Sequence, residues 1–152
     1  MAVNPIPDGY PRVMPYLTVD GAADAIVFYT SVLGGTERMR MPAPEGKVGH
    51  AEVTFGDAVV MLADHSDMSG PGPKELGGSP VSVMLYVEDV DAVYQAALDA
   101  GAESLSKPED AFYGDRGAGI VDPWGHRWHL ATHIEDVSPE EMQKRMQALM
   151  GG

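Results

Sequence analysis

No cysteine occurs among the 152 residues. That absence excludes disulfide staples, thiolate metal sites and a cysteine nucleophile, and it fits a reducing compartment, so a cytoplasmic location is expected. Cations are scarce: ten Lys and Arg stand against 23 Asp and Glu, giving a formal charge of −13. Such acidity repels phosphate backbones and anionic lipid, and the few basic residues are scattered rather than striped, so neither nucleic acid nor a membrane is an expected partner. Long apolar runs are missing as well; the longest, such as Val81 to Val87, are strand-sized. The start, Met1 to Tyr10, has neither a basic stretch nor an apolar core, so no signal peptide is expected.

What is present is a repeat. Met61-Leu62-Ala63-Asp64-His65 lies over His129-Leu130-Ala131-Thr132-His133 at an offset of 68 (129 − 61). Tyr16-Leu17-Thr18-Val19-Asp20 lies over Met84-Leu85-Tyr86-Val87-Glu88 at the same offset. A chain of this length is expected to form one domain burying about two thirds of its unfolded surface, built here from two copies of one unit. Duplicated units place a pocket between the copies, so the lining of that pocket becomes the functional question.

Within the first copy the pattern reads strand, helix, three strands. Arg12 to Val19 alternates and stops at Asp20-Gly21; Ala22 to Leu33 carries Ala25, Ile26, Tyr29, Val32 and Leu33 at helical spacing and ends at Gly34-Gly35. Thr36–Met41, Val48–Phe55 and Ala58–Ala63 follow, the last two joined by a Gly56-Asp57 hairpin signal. The second copy repeats that order: a strand Val81 to Val87, a helix Val90 to Ala100, then strand pieces through Lys107, Ala118 to Val121 and His126 to Ala131. The expected division is a first module over about 11–64, a linker 65–79, a second module over about 80–133 and a C-terminal helix over about 138–149. Pro108 to Arg116 reads as an irregular stretch whose Phe112-Tyr113 pair either folds over a pocket or tucks under a surface loop. The tail opens with Ser138-Pro139-Glu140-Glu141, a capping pattern, and its Met142, Met146 and Leu149 form a stripe expected to dock on its own domain or a dimer mate.

Paired βαβββ units, Phe28-Tyr29 followed by Leu33-Gly34-Gly35, and Asp122-Pro123-Trp124-Gly125-His126 before the last strand resemble the vicinal oxygen chelate superfamily of glyoxalases, bleomycin resistance proteins and extradiol dioxygenases. His50-Ala51-Glu52, Val60 to Asp64 and Trp128 to His133 resemble its PhnB-like branch. The resemblance implies an α+β fold in which curled mixed sheets of two tandem βαβββ modules enclose a cavity, with helices outside, and it implies a homodimer; the long linker would let modules exchange between chains.

On that template strand parity turns Met14, Tyr16, Thr18, His50, Glu52, Thr54, Met61, Ser82, Met84, Tyr86 and His129 inward. Metal-dependent relatives draw ligands from four strands, and the alignment sets Met14, Met61, Ser82 and His129 there. Two thioethers and a hydroxyl are poor ligands for a hard or borderline ion, so no metal and no other cofactor is expected. Glu52, His50 and His129 are the candidate acid/base groups, since desolvation would raise a cavity-facing Glu52 towards a useful base. The plainer reading pairs Glu52 with Arg12, Arg38 or Arg40. Met14, Tyr16, Met61, Ser82, Met84, Phe112 and Trp124 are the candidate ligand-binding residues, Trp124 and Trp128 being equally readable as core. The expected function is a glyoxalase-like protein that holds a small oxygenated or aromatic ligand, either with metal-free lyase or isomerase chemistry or as a non-catalytic protein that sequesters its ligand.

Overall fold

The computed structural model describes residues 3–151. The elements run β1 (Tyr16–Val19), α1 (Ala22–Ser31), β2 (Thr36–Pro42), β3 (Val48–Phe55), β4 (Ala58–Asp64), α2 (Pro73–Leu76), β5 (Ser82–Tyr86), α3 (Val90–Asp99), β6 (Glu103–Asp110), β7 (Asp115–Val121), β8 (Arg127–His133) and α4 (Pro139–Met150). The strands form two sheets of four, ordered β1-β4-β3-β2 and β5-β8-β7-β6. In each, the first and last strands of the copy pair parallel and the remaining ladders are antiparallel. The two sheets are curled and open, and with the flanking helices they give the α+β, tandem βαβββ architecture that the resemblance implies.

The repeat is carried through to the backbone. Helix α1 starts at Ala22 and α3 at Val90, 68 residues apart (90 − 22). Tyr16 pairs with Met61 in one parallel ladder and Met84 with His129 in the other, again 68 apart at both partners. Met61 also faces Glu52 across the first sheet, whereas His129 faces Gly119 across the second. The two copies therefore share a frame and differ in what they carry on it.

The chain divides into two compact units: one of the residues up to Pro80 together with Pro123–His126, the other of Val81–Asp122 and the residues from Arg127 onward. In the first, α1 packs on its sheet and buries Ala22, Ala25, Ile26, Phe28 and Tyr29, while the strands bury Leu17, Val19, Val53 and Leu62. Trp124 joins this core edge-on, its ring 5.8 Å from Phe28 and 6.0 Å from Tyr29. Helix α1 has no side-chain cap of its own. Asp64, at the end of β4, accepts from the N–H groups of Gly21 (2.8 Å) and Ala22 (2.9 Å) and also from that of Val48 (2.7 Å). Gly21 adopts φ +101°, which brings both amides onto one carboxylate. In the second unit, α3 is capped by Asp89, whose side chain accepts from Ala92 N–H at 3.0 Å. It packs over Ile120, Trp128 and Leu130, each at most 1% exposed. Each such side chain contributes about 1.5–3 kcal/mol by leaving water.

Two sequence expectations are corrected. Strand β1 begins at Tyr16 rather than Arg12, because Pro11 and Pro15 interrupt the earlier residues, and Met14 consequently lies before the strand. The stretch from Pro108 is not irregular: β6 continues to Asp110 and β7 restarts at Asp115. Proline is tolerated there because β6 is an edge strand and its register shifts between Ser106 and Glu109. The linker 65–79 contains the one-turn helix α2. Helix α4 forms with Ser138 as its cap, accepting from Glu141 N–H at 3.2 Å, and its stripe stands exposed in the single chain, Met146 at 44% and Leu149 at 66%. Among the described residues, no helix is long and apolar enough to cross a membrane.

Candidate functional site

In the first unit β3 projects His50 and Glu52 from one face. Glu52 is 2% exposed: Oε1 accepts from Tyr10 Oη (3.0 Å) and His50 Nε2 (3.1 Å), while Oε2, which accepts no hydrogen bond, is ion-paired with Arg38 Nε at 2.8 Å. Of the three arginines considered from sequence, Arg38 is the partner; Arg40 binds Glu37 at 2.7 Å instead. The selection comes from a β-bulge. Glu37 pairs with Val53 and Met39 with Glu52, so Arg38 is the extra residue and its side chain is redirected. Because a carboxylate only accepts, His50 donates through Nε2, and its Nδ1, in the neutral ring, accepts from Tyr16 Oη at 2.7 Å. The result is one chain of hydrogen bonds, Tyr16 to His50 to Glu52. Tyr16, half exposed, lines a cavity of about 350 Å³ with Thr18, Gly49, Ala63 and Ser69.

Burial alone would raise the proton affinity of Glu52, as the sequence suggested. The hydrogen bonds from His50 and Tyr10 and the charge of Arg38 outweigh it and hold the carboxyl below its ordinary pKa. Glu52 is therefore ionised and poor at taking a proton. Burial and the Glu52 charge push the Tyr16 hydroxyl up, which keeps it a protonated donor. A carboxyl whose folded pKa is depressed contributes stability that is complete above its unfolded value of about 4.3 and lost as pH falls through the folded value. The thermal midpoint of the wild type should accordingly drop more steeply as pH falls below about 5 than that of Glu52→Gln. Parallel curves in scanning calorimetry would contradict the Arg38–Glu52 pair.

The second unit carries a different constellation. Met84 and His129, register partners on adjacent strands, line a cavity of about 500 Å³ with Ser106, Lys107, Glu109 and Tyr113. Tyr113 and Phe112 form the turn between β6 and β7, their rings edge to face at 5.4 Å. The tail holds this turn: Arg145 of α4 donates to the Phe112 carbonyl (3.2 Å) while binding Glu135 through both terminal nitrogens (2.9 and 2.7 Å). Tyr86 donates to the buried Asp115 at 2.6 Å, and His133 bridges Asp115 (2.7 Å) and Asp136 (2.8 Å). Those hydrogen bonds lower the Asp115 pKa and raise that of His133.

The structure thus gathers Tyr16, His50 and Glu52 in one unit, with Met61 beside them on the ladder, and Met84 with His129 in the other. Ser82 pairs with Arg127, two residues from Met84, and Phe112 contributes its carbonyl and ring to the turn rather than lining the cavity. Trp124 borders a third cavity, of about 530 Å³, with Lys47, His65, Lys74 and Glu75. Tyr10 and Asp115 were not singled out by sequence, and Tyr113 only as half of the Phe112-Tyr113 pair; only the proximity of β3 to the N-terminal arm identifies Tyr10.

The pattern of the glyoxalase/bleomycin resistance protein/dioxygenase superfamily matches residues 9–130. The chain belongs to that superfamily. An uncharacterized protein of Mycobacterium bovis is 41% identical over 140 residues, 90% of this chain and 92% of that one. A PhnB protein from Bacillus cereus superposes with a TM-score of 0.63 at 18% identity, over 80% of this chain and 99% of its own. TnmS3, an antibiotic binding protein from a Streptomyces species, does so with a TM-score of 0.58 at 22% identity, over 79% and 93%. These structures share the fold. The superfamily's metal can be tested against the donors present. In the first unit Tyr16 and Met61 stand with His50 and Glu52, which are committed to each other, to Tyr10 and to Arg38; in the second, His129 stands with the thioether of Met84. Neither set fits a hard or borderline divalent ion. Among the described residues, no three His, Asp or Glu side chains are grouped as such an ion would need.

Proposed function

We propose that this superfamily member binds and sequesters a small, partly apolar, oxygen-bearing molecule on the second sheet, with Met84, Tyr113 and His129 as its contacts. The carrying observation is the commitment of Glu52: the carboxylate best suited by sequence to be a base is ion-paired, doubly hydrogen-bonded and lowered in pKa. The cavity at Met84 offers instead a flexible thioether, an aromatic ring and mixed polar groups, a lining suited to an oxygenated aromatic. The antibiotic-binding role of TnmS3 points the same way. In this reading both modules serve one cytoplasmic functional domain, assembled as a homodimer whose contacts include the exposed stripe of α4.

A second reading rests on the Tyr16–His50–Glu52 chain, in which the Tyr16 oxygen takes a proton from a bound substrate as its own proton passes to His50 Nδ1, the imidazolium being held by Glu52, in a lyase or isomerase step. The two separate in one titration with Nile red, a neutral oxygenated aromatic dye. Under sequestration, Met84→Ala weakens binding about fivefold or more and Glu52→Gln changes it less than about twofold. A wild type that leaves the dye unbound defeats the proposal, whereas turnover lost selectively on Glu52→Gln establishes the enzyme.

A further inference from the structure

The N-terminal arm brings a phenol to the first sheet. Tyr10 lies six residues before β1 (16 − 10), and its hydroxyl donates to Glu52 Oε1 at 3.0 Å. Its ring lies beneath the Arg38 guanidinium, whose carbon is 4.2 Å from the ring centroid. The same arginine donates from its terminal nitrogen to the Gly9 carbonyl at 2.9 Å and fixes the arm's backbone. Carboxylate and guanidinium are held by the sheet itself: Glu52 on β3, Arg38 on the bulge of β2, with His50 fixing the carboxylate oxygen that Tyr10 uses. These partners meet both chemical faces of a phenol, an acidic O–H and an electron-rich ring.

We infer that Glu52, His50 and Arg38 form a phenol-binding clamp, and that Tyr10 is its tethered occupant. A free phenolic ligand enters by displacing the arm. The clamp is separate from the cavity at Met84 and does not depend on what that cavity holds. Tethering keeps the occupant at an effective concentration on the order of millimolar, so small free phenols compete weakly with the wild type. Removing the tethered ring should open the clamp.

The test uses the full chain carrying Tyr10→Ala and p-cresol, the phenol of the tyrosine side chain, followed by NMR of the Arg38 and His50 side chains. Binding is expected with a Kd on the order of millimolar, at least about tenfold tighter than to the wild type. p-Xylene, which lacks the hydroxyl, should bind at least about tenfold more weakly than p-cresol, and adding Glu52→Gln to Tyr10→Ala should abolish the gain. Equal binding of p-xylene would reduce the clamp to an apolar hole and overturn the assignment; so would a folded Tyr10→Ala that binds p-cresol no better than the wild type. The wild type labelled with 3-fluorotyrosine gives a second measurement that needs no substitution. Saturating p-cresol should move the Tyr10 fluorine resonance towards that of a solvated tyrosine, and an unmoved resonance refutes displacement.

Discussion

Trp128→Ala should leave little folded protein at 37 °C. The indole is fully buried, and deleting such a side chain costs about 3–5 kcal/mol in lost burial and residual cavity. A further cost falls on Asp122, 2% exposed, which accepts from Trp128 Nε1 at 3.0 Å. Losing that donor costs about 1–3 kcal/mol more. Against a total stability of about 5–15 kcal/mol the sum is most of the margin. Trp128→Phe separates the two contributions, since it keeps much of the volume and loses only the N–H. Urea titrations should therefore rank wild type above Trp128→Phe above Trp128→Ala, and a stability loss below about 2 kcal/mol for alanine would mean that the ring is not a core element.

Asp64→Ala should be nearly as damaging although it removes only a small polar side chain. Three backbone N–H groups, those of Gly21, Ala22 and Val48, converge on this carboxylate, and alanine leaves all three without it. The expected loss is about 3–5 kcal/mol. Asp64→Asn, isosteric but with one oxygen replaced by an amide donor, should recover only part of it. Burial would raise the Asp64 pKa, but the hydrogen bonds from Val48, Ala22 and Gly21 hold it below its ordinary value. Its contribution is thus complete above the unfolded value of about 3.9 and disappears as pH falls through the lower folded value. Hydrogen exchange at the amides of Gly21, Ala22 and Val48 checks the mechanism; unchanged protection in Asp64→Ala would reject it.

Much of this architecture is legible in the sequence itself. The 68-residue offset anticipated both the matching helix starts and the matching ladder pairs, because duplicated sequence keeps duplicated register. Strand β3 was placed to the residue, since its alternation is clean and Gly56-Asp57 closes it sharply. Pro108 misled because a proline's local meaning depends on whether its strand lies at an edge, which is a property of the whole sheet. Of the candidate site, the shared face of Glu52 and His50 on β3 is legible in the sequence and the charge state of Glu52 is not. Three groups distant in sequence from one another, Tyr10, Arg38 and His50, decide that state, and one of them reaches it only through a bulge that strand parity does not register. Met84 and His129 were both named, but their meeting in one cavity with Tyr113 needed the β6–β7 turn that had been read as irregular.

The short loop 123–126 belongs with the first unit although the residues on either side of it belong with the second. A gene cut after Pro80 would therefore not yield two self-sufficient halves. The leading fragment would expose the rings of Phe28 and Tyr29 that Trp124 meets, and the trailing fragment would carry that indole with no partner to receive it. With these four residues given over to the first core, its packing waits on chain that emerges only after most of the second copy.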